Sequence, residues 1–280
     1  MIKNRKALQR VLRLLLYVLI LVITVAVVFP LVWMFLTSLK TRDQIFVYPP
    51  KFLDFKPTFS NYTQVWVELG FSRLFFNTTY VAIWTTVISI AVATLAGYSL
   101  ARLRYRGKEL IGAAILATYM FPGVLLLIPI FVLMAKAGLV NTYTGLIISS
   151  ITFSLPFCIW MLRAYFMTLP EDLEDAARID GCTRLGALWR IVFPLSAPGI
   201  AATSVFAFMN AWGNYMFALL LLSTESKKTL PPAIGTFITR ETISWHLLMA
   251  GGMISTIPVL IFFLLVQKYL VQGLTLGAGK

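Results

Sequence analysis

Residues 14–36 read LLLYVLILVITVAVVFPLVWMFL, a stretch that contains no charged side chain. A helix that crosses the apolar core of a membrane takes roughly 20 consecutive residues of this kind. The run is longer than the apolar segment of a cleaved signal peptide, about 7 to 15 residues, and no small-residue cleavage site follows it. We therefore predict a retained membrane-spanning helix at residues 14–36.

The composition extends this prediction to the whole chain. Of the 280 residues, 59% are hydrophobic and 12% are charged, which is more apolar side chain than a soluble domain of this size can bury. The runs are continuously apolar, whereas strands of a membrane barrel alternate polar and apolar residues. The predicted fold class is all-α, a polytopic membrane protein with six transmembrane helices. The predicted spans are residues 14–36, 74–101, 110–135, 137–162, 191–222 and 247–267.

Basic residues between the spans predict the orientation. The formal net charge is +13, and Lys and Arg of membrane proteins collect in cytoplasmic segments. Basic clusters lie before the first span and between the second and third, at residues 3–13 and 102–108. We therefore expect both termini to be cytoplasmic. The first external link fits this rule less well, because it also carries Lys40, Arg42, Lys51, Lys56 and Arg73.

The link between the fourth and fifth spans has the pattern of two short helices joined by a glycine. Pro170 suits a first helical turn, and the four acidic residues that follow stabilise the positive end of the helix dipole. Gly181 can take the left-handed conformation that ends a helix. Thr183 can cap a second helix, which Pro194 and Pro198 stop before the fifth span.

Two interpretations of this link remain open from the residues alone. An acidic helix that carries the small Ala176 and Ala177 suits close contact with the groove of another protein. An amphipathic hairpin on the membrane surface would favour Lys and Arg on its polar face. Anionic lipid would repel the acidic first helix, which favours the protein partner.

The same residues resemble a known family. Asp175-Ala176-Ala177, then Gly181, then Ile191-Val192-Phe193-Pro194 are similar to the EAA loop of ABC importer permeases. Asp175, Cys182 and Phe193 stand where the family usually has glutamate, alanine and leucine. Residues 176–181 and 271–275 further resemble the maltose-type carbohydrate permeases.

This resemblance implies a type I ABC importer permease fold, in which the loop forms coupling helices that dock on the ATPase. It implies an N-terminus at residues 1–13, a six-span permease domain at 14–271 with the coupling loop at 169–196, and a tail at 272–280. Residues 270–280 are expected to contact the ATPase dimer as well. The residues expected to couple to the ATPase are Glu171, Asp172, Glu174, Asp175, Ala176, Ala177, Asp180, Gly181, Arg184, Ile191 and Pro194.

The resemblance also implies the partners and the location. They are a second homologous permease, two ATPase subunits, an extracytoplasmic sugar-binding protein and membrane lipid, in a bacterial inner membrane. No cofactor is expected on this chain, since ATP and Mg²⁺ would bind the partner ATPase. We expect no nucleic acid as partner.

Several enzymatic sites are excluded by the motifs. The chain has no phosphate-binding loop of the Gly-x-x-x-x-Gly-Lys-Ser/Thr type, so it is not expected to hydrolyse ATP. His246 is its only histidine, which excludes an HExxH zinc site or a histidine-based triad and suits a position at the membrane interface. We predict no catalytic residue and no metal ligand.

Candidate cargo contacts lie in the second and fifth spans. Asn210 and Asn214 stand four residues apart, which would place them on one helical face, with Trp212 and Tyr215 adjacent and Asn77 in the second span. Such residues suit a neutral sugar, but within membranes they also bond neighbouring helices. Pro122, Pro129 and Pro156 are expected to kink their spans.

Three functions therefore remain in view. The first is an ABC permease for a sugar or oligosaccharide, to whose binding protein the link 224–245 would extend. The second is an ABC permease for a non-sugar solute such as glycerol phosphate, a peptide or an amino acid. The third is a secondary carrier or passive scaffold, against which the absence of charged residues in the span centres counts.

Overall fold

The computed structural model describes residues 2–239 and 242–277, with side chains for 11–239 and 242–269. The chain divides into two compact units. Unit one contains Met1–Gly70 and Phe237–Ile254, and unit two contains Phe71–Thr236 and Ser255–Lys280.

Unit one is built on α1 (Ile2–Ser38), the predicted first span. Its side chains are exposed from position 11 to position 32, so its apolar surface is available to lipid or to another subunit. The link that follows contains the short helices Arg42–Ile45 and Ser60–Thr63 and the π-helical Gln64–Glu68. Asn61 donates hydrogen bonds of 2.8 Å to the carbonyls of Ser38 and Lys40, which folds the link back on the end of α1.

Unit two has α2 (Phe71–Arg102), α5 (Tyr143–Phe166) and α8 (Ala197–Trp212) at its centre. Small residues let these helices approach closely, as is usual inside membranes. A β-carbon at Gly199 of α8 would lie 2.4 Å from Cγ of the Tyr165 ring on α5. Ser89 of α2 and Ser154 of α5 form a buried hydrogen bond of 3.0 Å.

Two predicted spans are each divided by a sharp bend. The third span consists of α3 (Lys108–Tyr119) and α4 (Gly123–Lys136), which meet at 90°. The predicted fifth span is bent in the same way, because α7 (Arg184–Leu195), which ends just before α8, meets α8 at 80°. Prolines explain both breaks, because Pro122, Pro194 and Pro198 lack the N–H that would continue the helical hydrogen bonds. Pro129 and Pro156, in contrast, lie inside α4 and α5, which continue past them.

The remaining helices are α6 (Asp172–Ile179), α9 (Met216–Leu221), α10 (Leu230–Gly235) and α11 (Trp245–Gly277). Within the described residues, four helices are long and apolar enough to cross a membrane, and six spans result if each bent pair counts as one. The all-α membrane fold is therefore confirmed.

Two predicted spans differ clearly from the helices of the structure. The fourth span begins at Tyr143 rather than at residue 137, because Gly138 and Asn141 take left-handed backbone conformations with φ of +68° and +58°. The predicted span 191–222 is not one helix, since α7, α8 and α9 divide it. Hydropathy detects the apolar run but not the direction of its backbone.

Candidate functional site

The α6–α7 hairpin, residues 172–195, has the two helices that its sequence predicts. Asp172, Glu174 and Asp175 occupy the first turn of α6. The helix ends in a hydrogen bond of 2.9 Å from the Cys182 amide to the Ala177 carbonyl, and Gly181 has a φ of +88°. The left-handed backbone at this glycine turns the chain directly into the next helix.

Helix α7 begins with the predicted cap, since the Thr183 hydroxyl accepts a hydrogen bond of 3.0 Å from the Gly186 amide. Its middle, Leu188–Val192, is π-helical. The buried side chains of Leu188 and Val192 pack in a cluster with Leu162 and Phe166 of α5. The second helix of the hairpin is thereby anchored in the apolar core of unit two.

The first helix of the hairpin is held by the end of α2. Glu174 accepts a hydrogen bond of 2.7 Å from the Tyr98 hydroxyl and one of 2.6 Å from Nε of Arg102. Arg102 also donates to the Leu169 carbonyl at 2.7 Å and lies 3.5 Å from the Glu171 carboxylate. The side chains of Arg102 and Glu174 are only 8% and 10% exposed, so water screens this ion pair weakly.

The outer face of the hairpin carries exposed apolar side chains. Leu173, Ile179, Leu185 and Trp189 are 43%, 87%, 61% and 47% exposed. They lie on both helices on either side of the Gly181 turn. An exposed apolar patch of this kind, rimmed by charges, is typical of a protein contact.

The residues expected to couple fall into two groups. Glu174 and Ala177 are buried within the chain, and Glu174 accepts a hydrogen bond from Arg102. Ile191 is half-buried. The exposed members are Glu171, Asp172, Asp175, Ala176, Asp180, Gly181, Arg184 and Pro194.

A charged cavity of about 370 Å³ lies between the end of α2 and the hairpin. Tyr98 and Leu103 contribute to its wall. Its charged lining consists of Arg102, Arg104, Arg178, Arg184, Glu171, Glu174 and Asp175. The cations and anions nearly balance, which suits an internal network of ion pairs.

The candidate cargo residues are not all placed as predicted. Helix α8 ends at Trp212, so Asn214 lies beyond it and does not continue the helical face of Asn210. Asn214 donates a hydrogen bond of 2.8 Å to the Ser150 hydroxyl and accepts one of 3.2 Å from the Phe217 amide. These bonds connect the end of α8 to α5 and α9.

Two other members of the candidate set also have structural partners. The Trp212 indole donates 3.1 Å to the Ser255 carbonyl of α11. Asn77 donates to the carbonyls of Ser226 and Lys228 at 3.0 and 2.8 Å, which ties down the link after α9. Asn210 and Tyr215 are exposed.

Sequence reasoning also missed the connections that Asn141 and Arg163 make. Asn141 accepts from the amides of Ser223 and Thr224 at 3.3 and 3.1 Å, so it holds the same link from the other side. A lone Asn after Leu139-Val140 gives no signal of this role. Arg163, near the end of α5, forms an ion pair of 2.6 Å with Glu109 of α3.

No group of three or more His, Cys, Asp or Glu side chains within residues 11–239 and 242–269 is arranged to hold a metal ion. The expected tail contact at residues 270–280 lies outside the described side chains.

A family of known proteins matches most of this chain. Residues 90–276 match the family described as the binding-protein-dependent transport system inner membrane component. The chain belongs to this family. The permease is therefore a multi-pass inner-membrane component, as predicted.

Curated relatives cover most of the permease. The sulfoquinovosyl glycerol transport system permease protein SmoH of Agrobacterium fabrum is 38% identical over 90% of the permease and 88% of SmoH. The trehalose/maltose transport system permease protein MalG of Thermococcus litoralis is 36% identical over 96% of the permease and 97% of MalG. The resemblance to maltose-type ABC permeases is confirmed.

The fold also matches a solved structure. A chain of a bacterial ABC transporter that imports the acidic polysaccharide alginate superposes with a TM-score of 0.77 at 25% identity, covering 93% of the permease and 96% of that chain. The prediction that the chain is a permease subunit and not itself an ATPase is confirmed by the family.

Proposed function

We propose that the permease imports a neutral sugar or oligosaccharide that an extracytoplasmic binding protein delivers. Several relatives are described as permeases for trehalose, maltose or arabinooligosaccharides. The centres of the spanning helices carry no charged side chain, which suits a neutral cargo better than glycerol phosphate or an amino acid. Exposed Asn210 and Tyr215 offer hydrogen bonds and an aromatic face to such a cargo.

The permease is half of a pathway completed by a second homologous permease. Two ATPase subunits, which bind ATP and Mg²⁺, lie on the cytoplasmic side, and the α6–α7 hairpin docks in a cleft of the ATPase subunit. Both termini lie on the same side. The link from residue 224 to 245, held by Asn77 and Asn141, receives the binding protein. Asn77, Trp212 and Asn214 shape the pathway through the helix ends that they connect.

The observation that carries the coupling role is the two-sided construction of the hairpin. Its outer face presents Ile179 and Leu185 to a partner, while Glu174 and Leu188 are anchored in the spans. A force on the outer face therefore reaches α2 and α5 directly. The ATPase moves the permease only if it binds the outward state more tightly than the inward one.

Leu185→Asp tests this role, because it places a charge in the proposed contact without touching the buried anchors. We expect at least a tenfold loss of sugar uptake in proteoliposomes, equivalent to roughly 1.4 kcal/mol of lost docking. The matched control is Leu53→Asp, an exposed leucine of the link after α1 that is 78% exposed. Full uptake and normal retention of the ATPase by the Leu185 variant would refute the docking surface.

Gly181→Pro tests the turn itself. Proline requires a φ near −65°, whereas Gly181 has +88°. We expect the assembled variant to hydrolyse ATP without importing sugar. The cargo class is tested separately, by measuring which solutes bind the cognate binding protein.

A further inference from the structure

The link after α1 buries a lysine that has no acidic partner. Lys40 is 4% exposed, and its Nζ donates a hydrogen bond of 2.6 Å to the Lys51 carbonyl. The ammonium also lies 5.3 Å from the centre of the Trp33 ring and 4.9 Å from that of Phe55. Among the described residues no carboxylate is within ion-pair distance of it.

Such a cation is costly to bury. Charged groups taken from water are normally paired, and the burial lowers the pKa of Lys40 from its ordinary value. The Lys40 ammonium has three N–H donors, and one carbonyl and two aromatic rings satisfy only some of its capacity to form hydrogen bonds. An anionic oxygen beside Lys40 would offset the remaining cost.

A cavity of about 250 Å³ lies beside this lysine, within unit one. Lys40 and Lys51 form a cationic part of its wall, and Trp33 and Trp245 form an aromatic part. Thr37 also lines it, and its hydroxyl has no hydrogen-bond partner although the residue is only 5% exposed. Ile45, Phe46 and Met249 make the rest largely apolar.

This combination matches the border of a membrane. Tryptophan is enriched where lipid headgroups meet the acyl chains, and lysine binds phosphate as a point charge. The exposed apolar surface of α1 leads to the cavity through Trp33. A free phosphate ion would contact only the cationic part of the wall, whereas a phospholipid would contact the cationic part with its phosphate and the apolar part with its glycerol and acyl chains.

We propose that this cavity binds the phosphate group of an anionic phospholipid, with Lys40 as its principal contact. The glycerol backbone lies against Trp33 and Trp245. This role also gives a reason for Lys40 and Lys51 in a link where the orientation rule does not expect basic residues. The proposal is independent of the cargo and of the coupling to an ATPase.

The test uses the complete transporter purified from membranes and reconstituted with phosphatidylethanolamine alone or with added phosphatidylglycerol. We expect phosphatidylglycerol to remain bound through detergent washing, detected by native mass spectrometry, and to raise the Tm. Lys40→Gln is expected to lower the retained phosphatidylglycerol at least tenfold. Lys56→Gln, an equal charge change at an exposed site of the same link, should retain it.

A second variant guards against simple misfolding of the Lys40 variant. Met249→Trp fills the cavity from α11 and leaves the partners of Lys40, which are Lys51, Trp33 and Phe55, unchanged. We expect the same loss of lipid. Equal retention by wild type and both cavity variants would overturn the proposal. A Tm rise with inorganic phosphate alone, as large as that with phosphatidylglycerol, would overturn the assignment to lipid.

Discussion

Glu174 shows how one residue serves the hairpin differently from its neighbours. Its carboxylate accepts from both Tyr98 and Arg102, while the adjacent Asp175 faces outward and pairs with Arg178 at 3.2 Å. The two acids are one position apart on α6, yet one is internal and the other exposed. Their removal therefore has different consequences.

Glu174→Gln removes the charge that balances the buried Arg102. Breaking a buried ion pair by losing one partner costs about 3 kcal/mol, and we expect a free energy of unfolding in detergent lower by that amount. Asp175→Asn is the control, since its pair is 49% and 64% exposed and contributes less than about 0.5 kcal/mol. Equal effects in chemical denaturation would contradict the anchoring of α6 by α2.

At the scale of elements, the contact of α8 with α5 determines where the broken fifth span lies. Gly199 stands just after the bend between α7 and α8 and faces the ring of Tyr165. Because no side chain separates them, the start of α8 lies directly on α5. This close approach brings α7 against the apolar core.

Gly199→Ala is expected to destabilise the permease by about 1–3 kcal/mol, the usual cost of overpacking. The added β-carbon would lie 2.4 to 2.9 Å from three atoms of the Tyr165 ring, so the ring or the two helices must shift. Gly213→Ala is the control, because its β-carbon would meet only the Met209 carbonyl, at 3.3 Å. The measurement is the Tm of each variant in the same detergent.

For the whole molecule, orientation in the membrane follows from charge rather than from packing. The basic residues of the 102–108 link are more concentrated than those between Lys40 and Arg73. Concentrated Lys and Arg near span ends stay in the cytoplasm. We therefore expect the α6–α7 hairpin, two spans further along the chain, to face the cytoplasm as well.

Alkaline phosphatase, active only outside the cytoplasm, tests this orientation. We expect activity from a fusion after Lys56 and none from fusions after Arg104 or Gly181. Comparable expression of the three fusions is the necessary control. Phosphatase activity after Gly181 would place the hairpin outside and remove any contact with a cytoplasmic ATPase.

The sequence by itself determined the membrane class, the helical hairpin with its glycine turn, and the likeness to maltose-type permeases. These features depend on short stretches: an apolar run, a helix cap three residues from the amide that it accepts from, and a motif of fixed spacing. Gly181 and Thr183 behave as their local chemistry predicts, since no distant residue is needed for a left-handed turn or a helix cap.

Only the tertiary structure decided which polar residues support the fold and which face outward. Glu174 pairs with Arg102, which lies 72 positions earlier in the sequence. Asn141 accepts hydrogen bonds from residues 82 and 83 positions later in the sequence. Pairing over such distances depends on how bent helices pack, which hydropathy does not encode. For the same reason Asn214 does not share a helical face with Asn210. Helix α8 ends at Trp212, and where it ends depends on the packing of the helices.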